Sequence, residues 1–182
     1  TQTGGLLNTS DVPAGVFRVD HDQAFQSTVL ARYQRPKNAE YAEVTWRYDS
    51  GMVAGIGDVG EALTLTAAQQ ATIGFACDSV HATYVAPIAT CSGIGTSTLL
   101  TLPQVGEADP DHNAGRVKSR NMFNIGIGTD NLLHREGHQR ITASIQVENL
   151  TNKVALYNFL STFSGTHFVQ PRTLVARVGF SF

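Results

Sequence analysis

The sequence predicts an all-β chain, an antiparallel up-and-down transmembrane β-barrel segment of about five strands at 24–34, 41–49, 121–130, 139–149 and 172–182. Three observations lead there. Each stretch alternates apolar and polar residues with period 2, as a strand with two unlike faces does. Each also has about the 9–11 residues that a tilted strand needs to cross a bilayer. The connections alternate in length: short at 35–40, very long at 50–119, short at 131–138 and medium at 150–171. Outer-membrane barrels, with short turns on one side and long extracellular loops on the other, have this rhythm. Composition agrees. Charged residues make up 15% of the chain and hydrophobic residues 42%, whereas a typical soluble domain carries about 25% charge. The polar surface must come from Thr, Ser, Gln, Asn and Gly.

The first strand, AFQSTVLARYQ, puts Phe25, Ser27, Val29, Ala31 and Tyr33 on one face and Gln26, Thr28, Arg32 and Gln34 on most of the other. The second, YAEVTWRYD, opposes Ala42, Val44, Trp46 and Tyr48 to Glu43, Thr45, Arg47 and Asp49. Regularity then stops from Ser50 to Ser119, a Gly-, Ala-, Ser- and Thr-rich stretch with one predicted short helix, TAAQQATIGFAC, for which Thr66 can serve as N-cap. The third strand, NMFNIGIGTD, sets Phe123, Ile125, Ile127 and Thr129 against Asn124, Gly126, Gly128 and Asp130. The fourth sets Ile141, Ala143, Ile145 and Val147 against Arg140, Thr142, Ser144, Gln146 and Glu148. The last carries Leu174, Ala176, Val178, Phe180 and Phe182 opposite Thr173, Arg177, Gly179 and Ser181. A 70-residue unstructured connection is foreign to a compact soluble domain, which favours a membrane wall over a soluble fold. No internal repeat at a fixed period and no low-complexity linker stands out, so 1–182 reads as one portion of a barrel.

Several function classes are disfavoured. No apolar run is long enough for a transmembrane helix. A net charge of −2 without a basic cluster gives no basis for nucleic-acid binding. Gly55, Gly57 and Gly60 of GIGDVG fit a dinucleotide fingerprint in letters, but no βαβ unit surrounds them; flexible loop glycines are the better account. Asp109, Asp111 and Asn113 have calcium-loop spacing, yet Ala114 stands where a sixth-position Gly is needed and Arg120 where the twelfth-position Glu is needed. A looser calcium-binding loop and a solvated acidic turn both stay open there. His134 and His138 are four apart in a turn that contains Gly137, where no helix could aim both at zinc. With no nucleophile motif and no paired carboxylates, no catalytic residue, cofactor or enzyme activity is expected. Cys77 and Cys91 would close a loop of about 15 residues, worth roughly 3 kcal/mol as a disulfide in an oxidising compartment; two unrelated thiols are the alternative.

The stretch IQVENLTNKVALYNFLSTFSGTHFVQPRTLVARVGFSF resembles the C-terminal end of a TonB-dependent outer-membrane receptor. Asn149-Leu150-Thr151-Asn152-Lys153 corresponds to the family's N-L-x-N/D-K element, Pro171-Arg172-Thr173 to the P-R-T opening the final strand, and Phe182 to its terminal aromatic. FRVDHDQAFQSTVLARYQ and WRYDSGMVAG are similar to barrel strands of the carboxypeptidase-regulatory-like (Oar-like) group of these receptors. The resemblance implies a bacterial outer-membrane location and import of a large or scarce extracellular ligand. Implied partners are outer-membrane lipid, the receptor's own plug domain, the TonB energy complex reached through a missing N-terminal part, and the barrel-assembly machinery. On this resemblance the chain is expected to be a C-terminal fragment of a barrel of about 22 strands. Gly179, Phe180 and Phe182 would form the barrel-assembly signal. A periplasmic C-terminus would make 50–119 and 150–171 extracellular. Phe25, Trp46, Tyr48 and Phe123 would then lie at the outer interface, with Tyr33, Phe180 and Phe182 at the inner one.

Arg32, Glu43, Arg47, Asp49, Asn124, Asp130, Arg140, Gln146, Glu148 and Arg177 would face the lumen. Against lipid a midplane Arg costs about 2–4 kcal/mol, whereas in a wet lumen these side chains can pair and stay hydrated. They could form a plug-docking wall or simply a solvated one. The competing fold is a secreted β-sandwich binding module, an adhesin or carbohydrate-binding domain, in which the apolar faces would be buried against a second sheet.

Overall fold

Alternation of period 2 becomes extended chain in all five places. The computed structural model describes residues 18, 21–35, 39–107, 114–134, 139–162 and 164–181. In chain order the elements are β1 (Gln26–Gln34), β2 (Glu40–Asp49), α1 (Val59–Leu63), α2 (Ala67–Ile73), β3 (Ala76–Cys77), β4 (Val80–His81) and β5 (Gly95–Thr96). There follow β6 (Leu100–Thr101), β7 (Arg116–Val117), β8 (Arg120–Thr129), β9 (Arg140–Glu148), β10 (Leu156–Ser161), β11 (Gly165–Phe168) and β12 (Thr173–Ser181). Two units result. Gln26–Asp49, Arg120–Val154 and Val169–Phe182 make a sheet unit; Ser50–Ser119 and Ala155–Phe168, with the segment ending at Phe25, make the second. No repeat or low-complexity linker in the sequence marks the boundary between them.

The sheet unit is a five-stranded antiparallel sheet in the order β1-β2-β8-β9-β12, open, with β1 and β12 at its edges. Register brings like faces together. Val29 opposes Trp46, Trp46 opposes Phe123, and Ile127 opposes Ile145, which opposes Ala176 on the last strand. Because side-chain direction alternates along each strand, this register collects most apolar positions on one side. That side is not packed: Tyr33 is 72% exposed, Leu174 70% and Phe180 68%, and Val29, Val44, Ile127, Ile145 and Val178 are exposed as well. Phe25, expected on this face, lies just before β1.

The second unit overturns the expectation of a structureless 50–119 loop. It contains two helices, several short strands and a core of its own, built from Ala54, Ile56, Val59, Ala62, Ile73, Phe75, Leu100, Val117, Leu156 and Phe159. The connection at 150–171 is corrected too, since β10 and β11 pair in it as a hairpin that delivers Leu156 and Phe159 to this core. Thr66 caps α2 in a full capping box with Gln69, satisfying backbone donors at the helix start. Gly74 ends the helix in the left-handed conformation, where a Cβ would stand 2.1 Å from Thr98 Oγ1. The GIGDVG segment serves packing. Asp58 caps α1, and a Cβ on Gly55 would meet the Leu160 carbonyl oxygen at 2.2 Å. Cys77 and Cys91 are joined in a disulfide with a Cα–Cα distance of 5.7 Å. No helix among the described residues is long and apolar enough to cross a membrane.

Candidate functional site

Opposite the apolar face, the same alternation gathers the polar side chains, interrupted by Leu30, Met122 and Val175. They form distinct networks. Near the 34/40 end of the sheet, Arg32 Nη2 donates to Asp130 Oδ2 at 2.8 Å, and Gln34 Nε2 donates to the same oxygen at 2.9 Å. Arg32 also lies 3.9 Å from Glu43 Oε2, and its guanidinium carbon sits 3.6 Å above the centre of the Tyr41 ring. Stacking on an aromatic face adds a cation–π attraction to the ion pairs and fixes the guanidinium plane. Further along, Arg177 Nη1 donates to Gln146 Oε1 at 3.0 Å across β9 and β12.

At the opposite end, Asp49 accepts from Arg47 Nε at 3.0 Å and from Arg120 Nε at 3.0 Å. Asp49 and Arg120 are each 1% exposed. Asp49 was expected to stay hydrated; it is instead a buried ion whose partner is Arg120, its register neighbour on β8. A third strand starting at 121 leaves out Arg120, although its parity with Asn124 puts it on the polar face. Tyr41 was missed similarly: it shares the parity of Glu43, but an aromatic at a strand start reads as apolar. Arg140 and Glu148 lie on this face without joining the networks above.

Asn124 has another task. Its Oδ1 accepts from the Asn149 backbone N–H at 2.9 Å, where the chain leaves β9. Asn149, buried and at φ +48°, donates through Nδ2 to the carbonyls of Lys153 (3.0 Å) and Gln170 (2.8 Å) and accepts from Lys153 N–H at 2.8 Å. Asn152, at φ +49°, accepts from Arg172 N–H through Oδ1 at 3.1 Å. The N-L-T-N-K and P-R-T elements therefore form one clamp that ties the end of β9 to the start of β12. Asn suits both clamp positions because it tolerates the left-handed region and carries both a donor and an acceptor.

In the second unit, Asp22 pairs with Arg116 (3.0 Å) and Arg18 (2.9 Å). The hydrogen bond from Arg116, aided by Arg18 and by both positive charges, holds the Asp22 carboxyl below the ordinary carboxylate range against a smaller opposing effect of burial. Among the described residues, no group of three His, Cys, Asp or Glu is placed to hold a metal. Asp109, Asp111, Asn113, His138 and Phe182 lie outside the described residues. Gly179 is on β12, where a Cβ would stand 2.6 Å from Thr142 Oγ1, and Phe180 projects from the apolar face. No protein-family model, curated protein or solved structure matches this chain.

Proposed function

We propose that the five-stranded sheet is a stretch of the wall of an outer-membrane β-barrel, the C-terminal part of a TonB-dependent receptor that imports a large or scarce ligand. One observation carries this reading: a continuous, exposed apolar face backs a charged, hydrogen-bonded face across five antiparallel strands with open edges. Exposed apolar area of that extent is unfavourable in water and favourable against acyl chains. The polar networks suit a wet lumen, where their outer atoms keep water. The sandwich alternative requires the apolar face to be covered, and the exposure of Tyr33, Leu174 and Phe180 counts against it.

On this reading the ends of β2 and β9 lead into extracellular segments, and the second unit with its Cys77–Cys91 disulfide lies on the oxidising side. Gly179, Phe180 and Phe182 address the barrel to its assembly machinery, and a plug domain and the TonB complex are its partners in import. The reading is tested by envelope extraction of the complete protein. It should stay with membranes through salt and alkaline carbonate and leave only in detergent. Release by carbonate alone would sink the reading.

A further inference from the structure

Between Ala62 and Gly106 the chain carries a single formally charged side chain, Asp78. It lies in the wall of a hollow of about 490 Å³ formed by the segment that the Cys77–Cys91 disulfide closes. Val80, Pro87, Ile88 and Ala89 supply apolar lining, and His81, Thr83, Thr90 and Ser92 add neutral polar groups. This segment is held in shape. Buried Gln70 donates to the Ile88 carbonyl at 3.0 Å and accepts from Ile88 N–H at 2.7 Å, so the lining is fixed to α2. Ala86 N–H donates to Thr83 Oγ1 at 3.1 Å across the tip. Asp78 Oδ2 accepts from Ser92 Oγ at 3.3 Å, and among the described residues no Lys or Arg forms an ion pair with it.

The wider charge pattern points the same way. From Ser50 to Gly115 there is no Lys or Arg, and the formal charges are Asp58, Glu61, Asp78, Glu107, Asp109 and Asp111. Such a segment attracts cations and repels anions. The hollow is open, with Asp78, Val80, His81, Pro87 and Ala89 exposed, and its volume is within the range of about 300–1,000 Å³ usual for small-molecule sites. We propose that the hollow binds a small organic cation, a primary ammonium on an apolar body, with the ammonium on the Asp78 carboxylate and the body against Pro87, Ile88 and Ala89. A charge-assisted hydrogen bond to the carboxylate would fix orientation, and the apolar lining would select against bare metal ions. This site goes beyond the barrel reading and stands on the second unit alone.

The test uses the full chain in detergent with its disulfide intact and three probes of one shape: 2-phenylethylammonium, 2-phenylethanol and phenylacetate. Calorimetric titration should show saturable one-site binding of the ammonium, about tenfold or more tighter than the alcohol, and none of phenylacetate. Asp78→Asn keeps a residue suited to φ +49°. It should weaken the ammonium about tenfold and leave the alcohol within about twofold. Ala89→Trp, which fills the hollow, should remove binding of both. Equal binding of ammonium and alcohol to the unmodified protein would overturn the proposal without any variant having to fold. So would undiminished ammonium binding by Asp78→Asn, or the absence of saturable ammonium binding. Extraction behaviour is independent of this hollow, so each reading can fail alone.

Discussion

Replacing Asn149 by Ala removes three hydrogen bonds at once: two donated to the Lys153 and Gln170 carbonyls and one accepted from Lys153 N–H. Each is worth about 1 kcal/mol net. Lys153 and Gln170 are exposed residues whose freed groups can recruit water, which keeps the loss near that figure per bond. Asn149 also sits at φ +48°, where Ala is strained by about 1 kcal/mol relative to residues that tolerate the left-handed region. The sum is about 3–4 kcal/mol. Asn149→Gly loses the same bonds without that strain and should cost about 1 kcal/mol less than the Ala variant. Asn149→Asp keeps the acceptor for Lys153 N–H but turns a carboxylate toward two carbonyls, and should be no better than Ala. The assay is guanidinium unfolding of the full chain in detergent micelles, followed through Trp46, the one tryptophan in the sequence. If Asn149→Ala unfolded within about 0.5 kcal/mol of the parent, as an unremarkable surface substitution does, or cost less than Gly, the clamp would have no energetic role.

Arg120→Met should destabilise the sheet by about 3 kcal/mol, the low end for breaking a buried pair, because Asp49 keeps Arg47. Adding Asp49→Leu should recover most of that loss, and a double variant no better than the single one would contradict it. Replacing Cys77 and Cys91 by Ser should lower the stability of the second unit by roughly 3 kcal/mol, from a loop with sequence separation 14; unchanged thermal unfolding would refute this. Asp22 has its carboxyl held below the ordinary value near 3.9, so its contribution is complete above that pH and is lost as pH falls through the lower folded value. Asp22→Asn should therefore be less stable than the parent at neutral pH and converge with it in strong acid. Parallel stability curves from pH 7 to pH 2 would refute that assignment.

The sheet was legible because alternation and strand length are local properties. Val44, Trp46, Ile125 and Ile127 declare their face within a few residues, and register follows once apolar faces are matched. Arg120 was lost to a one-residue error in a strand start, which is enough to hide a buried ion. The second unit was illegible for a different reason. Ile56, Phe75, Leu100 and Phe159 span about a hundred residues; Ile56 and Phe75 lie between elements, and Leu100 and Phe159 sit in strands of two and six residues, too short to show any period. In β10 the buried Asn158 and the register shifts on either side of it break the alternation that would have announced a hairpin. The helix after Thr66 is legible because an N-cap residue is a local signal. The motif behind the family resemblance is visible as letters, but its physical content, one asparagine holding a near carbonyl at Lys153 and a distant one at Gln170, needs the fold.

The central claim is that one face of this sheet meets lipid and the other water. Spin labels placed singly at 174–180 along β12, in the complete protein reconstituted into liposomes with the native disulfide oxidised, test it most directly. The account predicts period-2 accessibility: oxygen, which concentrates in the bilayer, reaches labels at 174, 176, 178 and 180, and a water-soluble nickel complex reaches those at 175, 177 and 179. Uniform access of the nickel complex to all seven positions, or alternation of the opposite phase, would contradict it.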